Sequence, residues 1–133
     1  MDEIRIEWSE GLAFTGYRDG HETSIDGDSE TGPSPVALLM ESVAACAAID
    51  VVVILEKGRQ PFTGLAVTTR AERAESPPRY VRRLQFDFTI EGDVEEAKAR
   101  RAVMLSFEKY CSVFHSLRKD IELEWSMRLE PGA

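Results

Sequence analysis

The stretch from Val36 to Lys57, "VALLMESVAACAAIDVVVILEK", constrains this chain more than any other. Leu38, Leu39, Ser42, Ala45, Cys46, Ile49 and Val53 recur at helical spacing, which predicts one long helix. Pro35 suits its first position, Ser34 is placed to cap it, and Gly58 ends it. From Val43 to Leu55 nearly every face is apolar, so the helix is expected to be buried all round. A chain of 133 residues forms one domain with a real core, but it can hardly wrap such a helix alone. Alanines at 44, 45, 47 and 48 leave room for a second backbone, so another subunit is the expected wrapper. The apolar run is interrupted at Asp50 and is read as too short to cross a bilayer. The N-terminus "MDEIRIEWSE" has neither a basic start nor an apolar h-region, so no signal peptide is visible. The expected setting is the cytoplasm, where thiols stay reduced unless they do redox work.

Around the helix the pattern alternates. "IRIEW" and "LAFTGY" predict two short strands, and a third is expected at Glu22–Ile25 within a turn-rich stretch. Phe62 to Ala74 and Tyr80 to Ile90 alternate on either side of "ESPP", an antiparallel hairpin signature. Asp93 with Glu96 reads as a capping box for a helix running to Tyr110. "CSVFHSL" predicts further helical turns, and Ile121 to Leu129 a last strand. The fold class is α+β: an antiparallel sheet with a long buried central helix, in a single domain over residues 1–133.

A net charge of −8 argues against a nucleic-acid partner, because phosphate binding needs a basic surface. The arginines between Arg70 and Arg83 are interleaved with Glu72 and Glu75, the mark of a solvated sheet face. Two cysteines and two histidines, His21 and His115, lack ligand spacing, so no metal site is expected.

The two thiols each admit two readings. Cys46 sits mid-helix among apolar neighbours, where burial raises a thiol's pKa. It is a packing residue unless a cation is brought to it. Ser42 and Asp50 lie one turn before and after it on the same face. Cys111 stands at a break between helices, where unpaired amides stabilise a thiolate, with His115 one turn on. It too can be packing. Arg18, in the turn "GYRDG", has solvent exposure as its simplest reading.

"GPSPVALLMESVAACAAIDVVVILEKGRQ" with "YCSVFHSL" later in the chain resembles the OsmC/Ohr family, and the first stretch is most similar to its OsmC-like branch. The Cys46-to-Asp50 spacing, the "KGRQ" after the helix and the second cysteine heading "CSV" carry the resemblance. It implies an intertwined homodimer whose central helices pack together, and a cysteine-based peroxidase reducing organic hydroperoxides. Cys46 would be the thiolate oxidised to sulfenic acid, Cys111 would resolve it as a disulfide, and Arg18 would hold the thiolate and polarise the peroxide. No bound cofactor is implied; an external dithiol, lipoyl groups in one branch, would reduce the disulfide. Asp50, His115 and Ser42 are supporting candidates, and Phe14, Phe107 and Phe114 candidates to line an apolar pocket. Peroxidase members carry a glutamate just after the proline that opens the helix, where Val36 and Ala37 stand here. That departure supports a second reading: a dimer without peroxidase turnover, binding an apolar ligand or sensing thiol state.

Overall fold

Alternation near the N-terminus forms three strands, Arg5–Glu10 (β1), Ala13–Arg18 (β2) and His21–Asp26 (β3), paired antiparallel in that order. Arg18 pairs with His21 across a two-residue turn in which Asp19 (φ 49°) and Gly20 (φ 79°) are both left-handed. That geometry matches the twist of a hairpin and favours small or turn-forming residues. The computed structural model describes residues 1–132. Two compact units divide the chain, residues 1–39 and residue 40 onward, each with its own three-stranded sheet. In the first, Asp26 is buried and organises the loop after β3. Its carboxylate accepts from the Asp28 and Thr31 amides (2.8 and 3.0 Å) and from the Thr31 hydroxyl (3.0 Å). The amide bonds, led by Asp28, hold it below the ordinary carboxylate range.

The expected long helix spans Pro35–Lys57 (α1). Ser34 caps it: its hydroxyl accepts the Ala37 amide at 3.2 Å. At the far end Arg59, not Gly58, takes the left-handed conformation (φ 56°). The Arg59 amide reaches the Glu56 carbonyl (3.0 Å) and the Gln60 amide that of Leu55 (2.9 Å), closing the helix as glycine usually does. Asp50 interrupts the apolar run without breaking the helix. The apolar run is part of a 23-residue helix whose most apolar 18-residue window has a mean hydropathy of 2.3, so the whole helix is long and apolar enough by length and composition to cross a bilayer.

The second unit builds its sheet from Phe62–Arg73 (β4), Val81–Gly92 (β5) and Glu122–Glu130 (β6), in the order β4-β5-β6. The β4–β5 hairpin is antiparallel as expected, with the Pro77–Pro78 peptide cis in its turn. β6, however, runs parallel to β5, from Arg83 opposite Glu122 to Glu91 opposite Glu130. The sheet is mixed rather than antiparallel, because the segment between the two strands is a crossover, as a parallel pair requires. Leu84, Phe86, Phe88 and Ile90 alternate onto one face of β5 and are fully buried. On the opposite, wetter side Arg70 pairs with Asp87, Arg82 with Glu72, and Arg83 with Glu124. The arginine-rich stretch is thus a solvated, charge-balanced face.

The crossover carries a helix at Glu96–Leu105 (α2), then a π-helical turn at Ser106–Tyr110 and a 3-10 turn at Phe114–Ser116. The expected capping box is not made. Glu95 occupies the cap position without a side-chain cap bond. Gln60 replaces the box from the end of α1: its Oε1 accepts the Glu95 amide (2.9 Å) and its Nε2 donates to the Glu95 carboxylate (3.2 Å). Phe107 packs onto the sheet with its ring 5.0 Å from Phe86 and 6.0 Å from Phe88, and Phe114 meets it edge-on at 5.6 Å. Within the chain α1 is not buried all round. Val43, Ala47, Val51 and Leu55 form one fully buried line at spacing four, while Ile49 and Val53 stay 62% and 41% exposed.

Candidate active site

Cys46 lies on α1 one turn before Asp50 and one turn after Ser42, and all three are half-buried. The π turn sits beside them. Its first residue, Ser106, is fully buried and reaches α1: its Oγ lies 2.8 Å from Asp50 Oδ2 and 3.3 Å from the Ala47 carbonyl. A hydroxyl has one proton, and the shorter contact to the carboxylate takes it. At the other end the Cys111 amide donates to the Ser106 carbonyl at 2.7 Å, the five-residue step of a π helix.

The chain after the π turn then bends over Cys46. Cys111 is extended (φ −70°, ψ 97°), and its carbonyl accepts the His115 amide at 3.0 Å. The amides just past Cys111 are therefore outside any helical ladder, and the two sulfurs use them. Burial by itself would push the Cys46 thiol up. It is outweighed by the Val113 amide, the Cys111 thiol, and the hydroxyl and amide of Ser112, and the thiol ends below its ordinary value. The groups that lower it are neutral dipoles.

Cys111 has the opposite fate. It is fully buried, and that burial pushes its thiol up to about 11 against a weaker pull from the Phe114 amide. The neighbouring Cys46 sulfur and the Asp50 charge add to the rise. Cys111 is thus the proton-holding partner, not the amide-stabilised thiolate that its place at a helix break suggested. The unpaired amides were correctly anticipated, but most of them serve the other sulfur. Cys111 Sγ also lies 3.9 Å from the Val43 carbonyl, a weak sulfur hydrogen bond. Each thiol acts on the other, and neither is in a disulfide.

His115 is exposed, its ring edge-on to Phe114 at 5.7 Å, and it does not lower the Cys111 thiol. Arg18 belongs to the first unit, where its guanidinium meets Asp2 at 3.2 Å and Asp19 at 3.3 Å. Phe14 is in the same unit on β2, 37% exposed. Phe107 and Phe114 flank Cys111 in the crossover. Asp50 accepts from the Ser106 hydroxyl. Sequence reasoning passed over Ser106, Ser112 and Val113. Among the described residues no three His, Cys, Asp or Glu side chains cluster as metal ligands.

The family model for OsmC-like proteins matches residues 26–126, from the end of β3 into β6, and so includes both cysteines and the turn between them. The chain belongs to the OsmC-like family. Protein YhfA of Escherichia coli strain K12 is 40% identical over 127 residues, covering 93% of this chain and 95% of that protein. A hypothetical protein from Aquifex aeolicus VF5 has a crystal structure that superposes with a TM-score of 0.86 at 29% identity, over 98% of both chains. An organic hydroperoxide resistance protein from Elizabethkingia anophelis shares the fold alone, with a TM-score of 0.69 at 13% identity over 98% of both chains.

Proposed function

We propose that this OsmC-like chain is a thiol-dependent peroxidase of organic hydroperoxides, with Cys46 as nucleophile and Cys111 as resolving thiol. What carries the reading is the contrast between two thiols that act on each other: a half-buried Cys46 with main-chain amides as donors and a fully buried Cys111 that holds its proton. In the reaction Cys46 attacks, as thiolate, the terminal oxygen of the hydroperoxide. The O–O bond breaks, the alkoxide takes a proton to leave as alcohol, and the sulfur becomes a sulfenic acid. Cys111 then attacks that sulfur, water leaves, and a Cys46–Cys111 disulfide remains. A dithiol, free or lipoyl-bound, restores both thiols by exchange. Amides that donate to the sulfur favour the attacking form. Arg18 retains a proposed role in polarising the peroxide, and Phe114, half-buried over the fully buried Phe107, offers apolar surface to an alkyl or aryl group. The exposed Ile49 and Val53 of α1 support a second copy of the chain covering that helix face.

Consumption of cumene hydroperoxide with dithiothreitol tests this. The wild type is expected to turn over and Cys46→Ser to be inactive. Cys111→Ser should accumulate a sulfenic acid that dimedone traps at Cys46. The absence of turnover with several hydroperoxides and dithiols would overturn the reading. It would favour instead a family member that binds an apolar ligand or senses thiol state, to which Val36 and Ala37 after Pro35 lend support.

A further inference from the structure

The π turn interrupts the crossover, and it has a buried anchor at each end. At its start, the Ser106 hydroxyl donates to Asp50 across to α1; at its close, the Cys111 amide returns to the Ser106 carbonyl. A π turn inserts one residue relative to an α helix and so rotates everything after it. Among the groups so rotated are the Ser112 and Val113 amides that reach Cys46. Ser106 is buried completely, and a serine hydroxyl without a partner there costs free energy, so its bond to Asp50 is a strong constraint on where the turn begins. Asp50 lies one turn from Cys46 on the same helix. One carboxylate therefore ties the position of the amides to the helix that carries the sulfur.

We propose that Ser106 and Asp50 act as a positioning pair, fixing the register of the π turn so that the Ser112 and Val113 amides fall on the Cys46 sulfur. The proposal rests on Cys46 as an ionised nucleophile, not on which electrophile it meets. Neither residue touches the reacting atoms. Asp50 and the two sulfurs act on the site from α1 and the crossover, and Lys57 of α1 and Tyr110 of the crossover line the same pocket as Asp50.

The sign of the effect separates positioning from charge. A nearby carboxylate disfavours thiolates, so removing the Asp50 charge alone would make the thiols more acidic. Positioning makes the opposite demand. The experiment is the pH profile of Cys46 alkylation by iodoacetamide in the full-length chain, read by mass spectrometry of the Cys46 peptide, with folding checked by circular dichroism. Ser106→Ala and Asp50→Ala are expected to move the midpoint up by roughly one pH unit, slowing labelling at pH 7 about tenfold. Asp50→Asn keeps an oxygen that accepts from Ser106 while losing the charge, so it should return the midpoint to the wild-type value or below it. If Ser106→Ala fails to fold, the contrast between Asp50→Ala and Asp50→Asn decides alone. An unshifted midpoint in folded Ser106→Ala, or an Asp50→Asn profile like that of Asp50→Ala, would overturn the pairing. A wild-type midpoint at the ordinary cysteine value would overturn the reading of Cys46 as well. A chain without peroxidase turnover that still shows the shifts leaves the pairing standing.

Discussion

Cys46 and Cys111 act on each other, yet their surroundings push the two thiols in opposite directions. Cys46 projects from the middle of a regular helix and is half-buried; Cys111 sits where a helix has just ended and is fully buried. By sequence context alone the assignment would be reversed, since a helix interior offers a sulfur no unpaired amides and a helix break offers several. The amides at the break lean across to the neighbouring element. A thiol's acidity depends on which donors reach it, not on which element carries it.

The most damaging attack on this contrast is to remove one sulfur at a time. With Cys46→Ser, the remaining thiol loses the share of its rise that the Cys46 sulfur supplies but keeps the burial that leads it, so its thiolate fraction should stay well below that of an ordinary cysteine. Alkylation near pH 8 should then all but stop, whereas Cys111→Ser should still label at Cys46. Fast labelling of Cys46→Ser would mean that Cys111 is the reactive thiol after all.

A finer test takes away single donors. Val113 already has φ −67°, which suits proline, so Val113→Pro deletes its amide hydrogen with little change at that torsion. Cys46 labelling at pH 7 is expected to fall about tenfold, as for the loss of one hydrogen bond to a charged group. Ser112→Ala keeps its amide and should cost about threefold, since its hydroxyl is exposed and water can replace it. Equal effects would show that the two donors are not distinct in kind.

The smallest effect is thermodynamic. Cys111 keeps its proton in the folded state up to about 11 but gives it up near 9 once unfolded. Its contribution is fully present below pH 9 and is lost as pH rises toward 11, so unfolding becomes easier across that window. Urea midpoints measured through it should decline in the wild type and flatten in Cys111→Ala. A flat wild-type profile would contradict the raised thiol.

Much of the framework was legible in residues. Pro35 with Ser34 before it located the start of α1, and strict alternation in Phe62–Arg73 and Val81–Gly92 marked out the hairpin. The direction of β6 was not legible, because alternation is the same for parallel and antiparallel strands. Nor was the π turn, since one extra residue in a helical ladder leaves no mark in composition. Ser106 was within reach: Ala99, Ala102 and Val103 mark the buried line of α2, and a serine continuing it needs a partner. The donors to Cys46 were beyond reach, for they are main-chain atoms, which every residue but proline possesses.

The parallel pairing of β6 with β5 has a consequence in time. The segment that acidifies Cys46 is strung between two neighbouring strands, and its far end is fixed only when β6, near the C-terminus, zips onto β5. Until β6 pairs with β5, the loop that carries the donors to Cys46 is therefore anchored at one end only.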